Sequence, residues 1–129
     1  MRSWRYHVLT LLWALVVAVL TLSPADSHPD VQFLNIPYFD KIAHTGIFAV
    51  LSFLMARGIV KQQNAVINFK SAFFITLPTT VFYGGLIEYL QNFVPGRSVE
   101  LFDLIANFTG VLLGLTSCYF LLKLKSNQS

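Results

Sequence analysis

Three short stretches of the sequence hold side chains able to do chemistry together. Asp40, Lys41 and His44 make the first, Glu88, Gln91 and Arg97 the second, and Asp103 and Asn107 the third. On a helix, Asp40 and His44 (i, i+4), Glu88 and Gln91 (i, i+3), and Asp103 and Asn107 (i, i+4) would each share one face. His44 is the natural proton carrier, because an imidazole exchanges protons near neutral pH. Asp40 can orient that ring from one turn ahead, or cap the helix N-terminus. His44, Glu88, Asp40 and Asp103 are therefore the candidate catalytic residues. Arg97 follows the turn dipeptide Pro95-Gly96, and its guanidinium suits a bidentate grip on phosphate or a pairing with Asp103. Lys41, Gln91 and Asn107 join Arg97 as candidate substrate-binding residues. The plainer roles are a headgroup anchor for Lys41 and a helix-to-helix bond for Asn107. The set fits proton transfer on, or binding of, an anionic group. It fits equally a network that only locks helices together, since buried charges need partners with or without a substrate.

No metal or cofactor is expected. His44, Asp40, Glu88 and Asp103 offer nitrogen and oxygen ligands, but no HExxH or paired cysteine accompanies them, and Lys41 and Arg97 oppose a cation. Phosphate-loop, dinucleotide and Ser-His-Asp signatures are missing. His7 and His28 read as interfacial and loop residues, and Cys118 as a small apolar one.

These groups belong to a chain of 129 residues, 55% apolar, 15% aromatic and only 12% charged. A soluble domain carries about 25% charged residues, so the chain reads as one all-α integral membrane domain, 1–129. Its single cysteine excludes an internal disulfide. The nine basic residues outnumber six acidic ones, yet along the sequence they form no patch or stripe. The expected partner is thus the lipid bilayer and no nucleic acid; the oligomeric state stays open.

Four apolar stretches, about 6–22, 42–60, 71–89 and 101–122, approach the ~20 residues that a span requires. Lipid offers the backbone no hydrogen bonds, so each must be a helix. Pro78 should kink the third rather than end it, and Lys123 should begin a short polar tail. Arg2 and Arg5 before an apolar run, followed by Ser23-Pro24-Ala25, resemble a signal peptide. That run is long for one and no convincing cleavage site follows, so a first helix is expected instead. Arg2, Arg5, Arg57, Lys61, Lys70, Lys123 and Lys125 fall on one side, against Lys41 and Arg97 on the other. The positive-inside rule then predicts a four-transmembrane-helix bundle with both termini cytoplasmic. The six acids (Asp26, Asp30, Asp40, Glu88, Glu100, Asp103) all fall on the outer side or in the outermost helix turns.

Glu88 lies 18 residues from Lys70, roughly 27 Å at about 1.5 Å per residue, just inside the outer edge of a core about 30 Å thick. Val81, Gly84, Gly85, Glu88 and Gln91 form one small and polar stripe. Asp103, Asn107, Gly110, Gly114 and Ser117 form another, with Gly110 and Gly114 as a GxxxG pair. Gly110 and Gly114 are expected against Gly84 and Gly85, with Arg97 as counter-ion between Glu88 and Asp103. His44 should complete one outward-opening cavity lined by Glu88, Arg97, Asp103 and Asn107.

In order and spacing, Pro37-x-x-Asp40-Lys41-x-x-His44, Glu88-x-x-Gln91-x-x-x-Pro95-Gly96-Arg97 and Asp103-x-x-x-Asn107-x-x-Gly110 resemble the VanZ-like family. The resemblance covers roughly residues 37–114; the first helix carries no motif. It implies a small bacterial four-helix protein of the cell membrane, in a family whose founding member is associated with resistance to the glycopeptide teicoplanin. Joined to the residue reading, it points to an outer-side site for a cell-envelope lipid-linked or anionic headgroup substrate. The alternatives are a non-catalytic binding module and a purely structural network. Transport is disfavoured, because the inner half of the spans carries only small polar groups.

Overall fold

The computed structural model describes residues 3–24, 38–62 and 69–128. Arg2, Asp26, His28, Asp30 and Pro37 lie outside them. A 3-10 turn, Ser3–Tyr6, leads into α1, Val8–Leu22; α2 is Phe39–Gln62, α3 Phe69–Gln91 and α4 Leu101–Gln128. Three of the four helices, α2, α3 and α4, are long and apolar enough to cross a membrane. The fourth, α1, has 15 residues, about 22 Å of rise against a core about 30 Å thick. Helices α2 and α3 overrun their apolar stretches at both ends and α4 at its C-terminal end, because hydrogen bonding within a helix continues into polar flanks. Lys123–Gln128, expected as a tail, is thus the last part of α4, and α3 runs unbroken through Pro78.

Burial is distributed as lipid demands. Phe82, Phe93 and Leu11 are 73%, 71% and 68% exposed, whereas Ser52, Thr76, Thr80, Glu88, Gln91, Asp103 and Asn107 are buried. In water such an outer surface would be one large adhesive patch; among acyl chains it needs no cover. The chain is a multi-pass membrane protein.

Small residues set the packing. The α2–α4 pair makes the most extensive contact. A Cβ on Gly110 would strike the Thr45 carbonyl, and one on Gly114 the Ala49 carbonyl and Ser52 Oγ. The two backbones therefore touch, and Ser52 Oγ donates across to the Val111 carbonyl at 3.0 Å. The glycine pair faces α2 rather than Gly84 and Gly85, which corrects the expected seam. Gly84 lies against Phe48 and the Asn107 side chain, and Gly85 has open space beside it. The buried stripe of α3 is Ala72, Thr76, Thr80, Gly84, Glu88 and Gln91, leaving Val81 exposed. On α4, Cys118 is buried where Ser117 was expected; Ser117 is exposed and donates to its own Leu113 carbonyl. In both helices i, i+4 rows decide the inner face, and small side chains off those rows meet lipid. Trp13 Nε1 donates to the Ile47 carbonyl at 2.9 Å and Tyr83 OH to the Ala14 carbonyl at 2.5 Å, which fastens α1 to α2 and α3.

Candidate functional site

The polar residues gather at the end of the bundle where α2 and α4 begin and α3 ends. Asp40, Lys41 and His44 occupy the first two turns of α2, Glu88 and Gln91 the last turn of α3, and Asp103 and Asn107 the first two turns of α4. Close approach of α2 and α4 at Gly110 and Gly114 brings their first turns together. Lys41 Nζ consequently bonds Asp103 Oδ1 and Glu100 Oε2, with Asp40 Oδ2 3.5 Å away.

Behind this ammonium lies a buried relay. Asn107 Nδ2 donates to Glu88 Oε1 at 3.3 Å, which turns Asn107 Oδ1 toward His44 Nδ1 at 2.8 Å. An amide oxygen only accepts, so His44 carries a proton on Nδ1. In the neutral ring the Nε2 lone pair is left facing Asp40, whose Oδ1 is 3.7 Å away, beyond hydrogen-bond range. Protonating Nε2 would convert that approach into an ion pair. Glu88 is 1% exposed and its Oε2 has no hydrogen-bond partner among the described residues. The arrangement can orient an imidazole, keep its tautomer fixed and present Nε2 as a base, the requirements of a general acid–base group.

Two cavities meet at His44. One, about 160 Å³, is walled by Asp40, Gln91, Ser98, Glu100 and Asp103, among others. The second, about 370 Å³, is walled by Leu20, Phe39, Ala43 and Ile47, among others. Asp40, His44 and Arg97 line both. The connection after α3 aims Arg97: Arg97 N bonds the Val94 carbonyl across Pro95 and Gly96, whose φ of 76° suits glycine at the third position of a type II turn. From there Arg97 Nε donates to the Ser23 carbonyl at 3.1 Å, and Gln91 Nε2 to the Thr21 carbonyl at 2.9 Å. Two motif residues thus satisfy carbonyls at the C-terminal end of α1, which have no partner within the helix.

A family model described as VanZ/LLP1 matches residues 3–123. The chain belongs to the VanZ/LLP1 family. No curated protein and no solved structure matches it. The family match begins ahead of α1, and the bonds from Gln91 and Arg97 give a physical reason for a VanZ/LLP1 chain to include that helix.

Against the sequence reading of this VanZ/LLP1 chain, the fold brings all eight candidate residues to one end of the bundle. Their arrangement differs in two respects. The cation on Asp103 is Lys41 and not Arg97, because the glycine contact presses α2 against α4 while the turn directs Arg97 toward α1. Glu88 and Asn107 stand behind His44 instead of on the polar cavity wall. Glu100, read only as an outward acid, and the Thr21 and Ser23 carbonyls are site members outside the eight candidates. Glu100 precedes Asp103 by three residues and could have been found from that spacing; the carbonyls carry no sequence signal. Asp40, His44 and Asp103 each offer a ligand atom within 4.8 Å of the others. Lys41 Nζ already lies against both carboxylates, so a divalent cation there would have to displace it.

Proposed function

We propose that this VanZ/LLP1 protein binds an anionic, lipid-linked substrate of the bacterial cell envelope on the outer side of the cytoplasmic membrane. His44 moves a proton on it. The observation that carries this reading is the shared wall of the two cavities: His44, Asp40 and Arg97 stand between a polar chamber and an apolar one. An amphiphile fits such a pair, head in one and chain in the other. Arg97 and Lys41 are suited to a phosphate. Asp40, Glu100 and Asp103 outnumber them, so the head should also carry hydroxyl or ammonium donors for those carboxylates. Glu88 and Asn107 keep His44 in its Nδ1–H form, and Gln91 holds the chamber wall to α1.

The topology belongs to the same reading: four spans, both termini cytoplasmic, with the polar site outward. The 15 residues of α1 and the 3-10 turn ahead of it supply up to about 30 Å of helical rise. Seven of the nine basic residues lie on the proposed inner side. By family, the envelope substrate connects to glycopeptide (teicoplanin) resistance.

A second reading, a non-catalytic lock, is favoured by the bonds that Lys41, Gln91 and Arg97 already make within the chain. Binding of a polyprenyl phosphate and of the matching neutral polyprenol to protein in nanodiscs separates the two. The expected result is at least a tenfold preference for the phosphate, reduced in Arg97→Gln. His44→Gln should keep that preference and the parent's melting temperature while losing turnover of lipid-linked envelope precursors. Equal affinity for both lipids would leave the lock as the function. Expression in a susceptible host, read as growth inhibition by teicoplanin, tests the resistance connection.

A further inference from the structure

The carboxylates among the described residues, Asp40, Glu88, Glu100 and Asp103, all lie at the His44 end. At the opposite end, Arg5, Arg57 and Lys61 line one cavity of about 130 Å³ together with Tyr6, Leu9, Leu54 and Gly58. The sequence separates Arg5 from Arg57 and Lys61 by a whole helix; the fold unites them. Arg57 and Lys61 are spaced i, i+4 and share a face of α2. Gly58 between them lets the N-terminal 3-10 turn lie directly on α2, since a Cβ there would meet the Tyr6 carbonyl at 2.7 Å and His7 Nδ1 at 3.1 Å. His7 Nε2 and Gln62 Oε1, 2.6 Å apart, fasten the same junction, and Arg5 is thereby held beside the other two cations. The ion pairs of Lys41 and His44 all belong to the other end of the molecule.

Three like charges around one cavity repel unless an anion joins them. At about 130 Å³ the cavity has room for a phosphate group. Leu9 and Leu54 line it as well, each about one helical turn further into the bundle than Arg5 and Arg57, and Leu9 is 61% exposed. A phosphate bound by the cations would therefore have acyl chains running down past Leu9 and Leu54. Basic pockets between spanning helices bind anionic lipid headgroups in this manner.

We propose that Arg5, Arg57 and Lys61 form a binding site for the phosphate of an anionic phospholipid, at the end of the bundle opposite His44. The site is independent of what His44 does, and the charge argument holds whichever way the bundle faces. The test uses the purified full chain in neutral detergent, with phosphatidylglycerol, phosphatidylcholine of the same chains, and inorganic phosphate as probes. Affinity is read from lipid adducts in native mass spectrometry and from thermal protection. Phosphatidylglycerol should bind at least tenfold more tightly than phosphatidylcholine, inorganic phosphate should protect far less than phosphatidylglycerol, and added salt should weaken the preference. The triple variant Arg5→Gln/Arg57→Gln/Lys61→Gln should bring the two lipids within twofold of each other. Lys61→Gln alone, at an exposed position, should reduce the preference by at least threefold even where the triple variant fails to fold. Equal affinity for both lipids in the parent, or an undiminished preference in Lys61→Gln, overturns the site. Protection by inorganic phosphate equal to that by phosphatidylglycerol overturns the lipid assignment.

Discussion

Asn107 uses both ends of its amide inside the site, one on His44 Nδ1 and the other on Glu88 Oε1. No other side chain of similar size does both: leucine satisfies neither partner, and aspartate presents a second acceptor to the Glu88 carboxylate. Each buried group left unpaired costs about 1–3 kcal/mol, and two acids in contact repel. Asn107→Leu and Asn107→Asp should therefore both melt earlier than the parent. Only the aspartate should restore a hydrogen-bonded Nδ1–H on His44, visible in ¹⁵N spectra of the labelled imidazole. An unchanged melting temperature in both variants would mean that the relay carries no stability. This level of the site was legible in part. Residue types and helical spacing singled out all eight side chains, because polar groups stand out within apolar spans. Partner choice was not legible, since whether Lys41 or Arg97 meets Asp103 depends on which helices touch and on where a turn points.

Helices α2 and α4 show why. The GxxxG pair announces a close approach but does not say to which neighbour, and every other span offers small residues as well. Backbone contact at Gly110 makes the partner definite: Gly110→Ala puts a methyl group against the Thr45 carbonyl, which can move only with its helix. Overpacking of this kind costs about 1–3 kcal/mol, so Gly110→Ala should lower the melting temperature in detergent by several degrees. Gly85→Ala meets nothing within 4 Å and replaces a poor helix former, a gain of up to about 1 kcal/mol. It should melt at or above the parent temperature. The opposite order would restore the seam expected between α3 and α4. Helix number and type were readable from hydropathy, because lipid permits only helices or closed barrels and these stretches are too long for barrel strands. Helix ends were less so, since apolar length measures the bilayer and not the run of backbone hydrogen bonds.

For the whole molecule, the proposed topology puts the connection after α3 outside and the end of α4 inside. With Cys118 replaced by serine, a cysteine at Asn92 should react with an impermeant maleimide added to intact cells. One at Asn127 should react only after lysis. Labelling of Asn127 alone in intact cells would invert the model, and labelling of both would break the four-span count. Carboxylates at one end and the Arg5, Arg57 and Lys61 trio at the other make the bundle an electrical dipole standing across the bilayer. A membrane potential acts on such an object with about 2.3 kcal/mol per unit charge per 100 mV. An inside-negative potential of that size would favour a cytoplasmic position for the cationic end by up to about 7 kcal/mol for the trio alone, and an energised membrane would itself oppose a flipped copy.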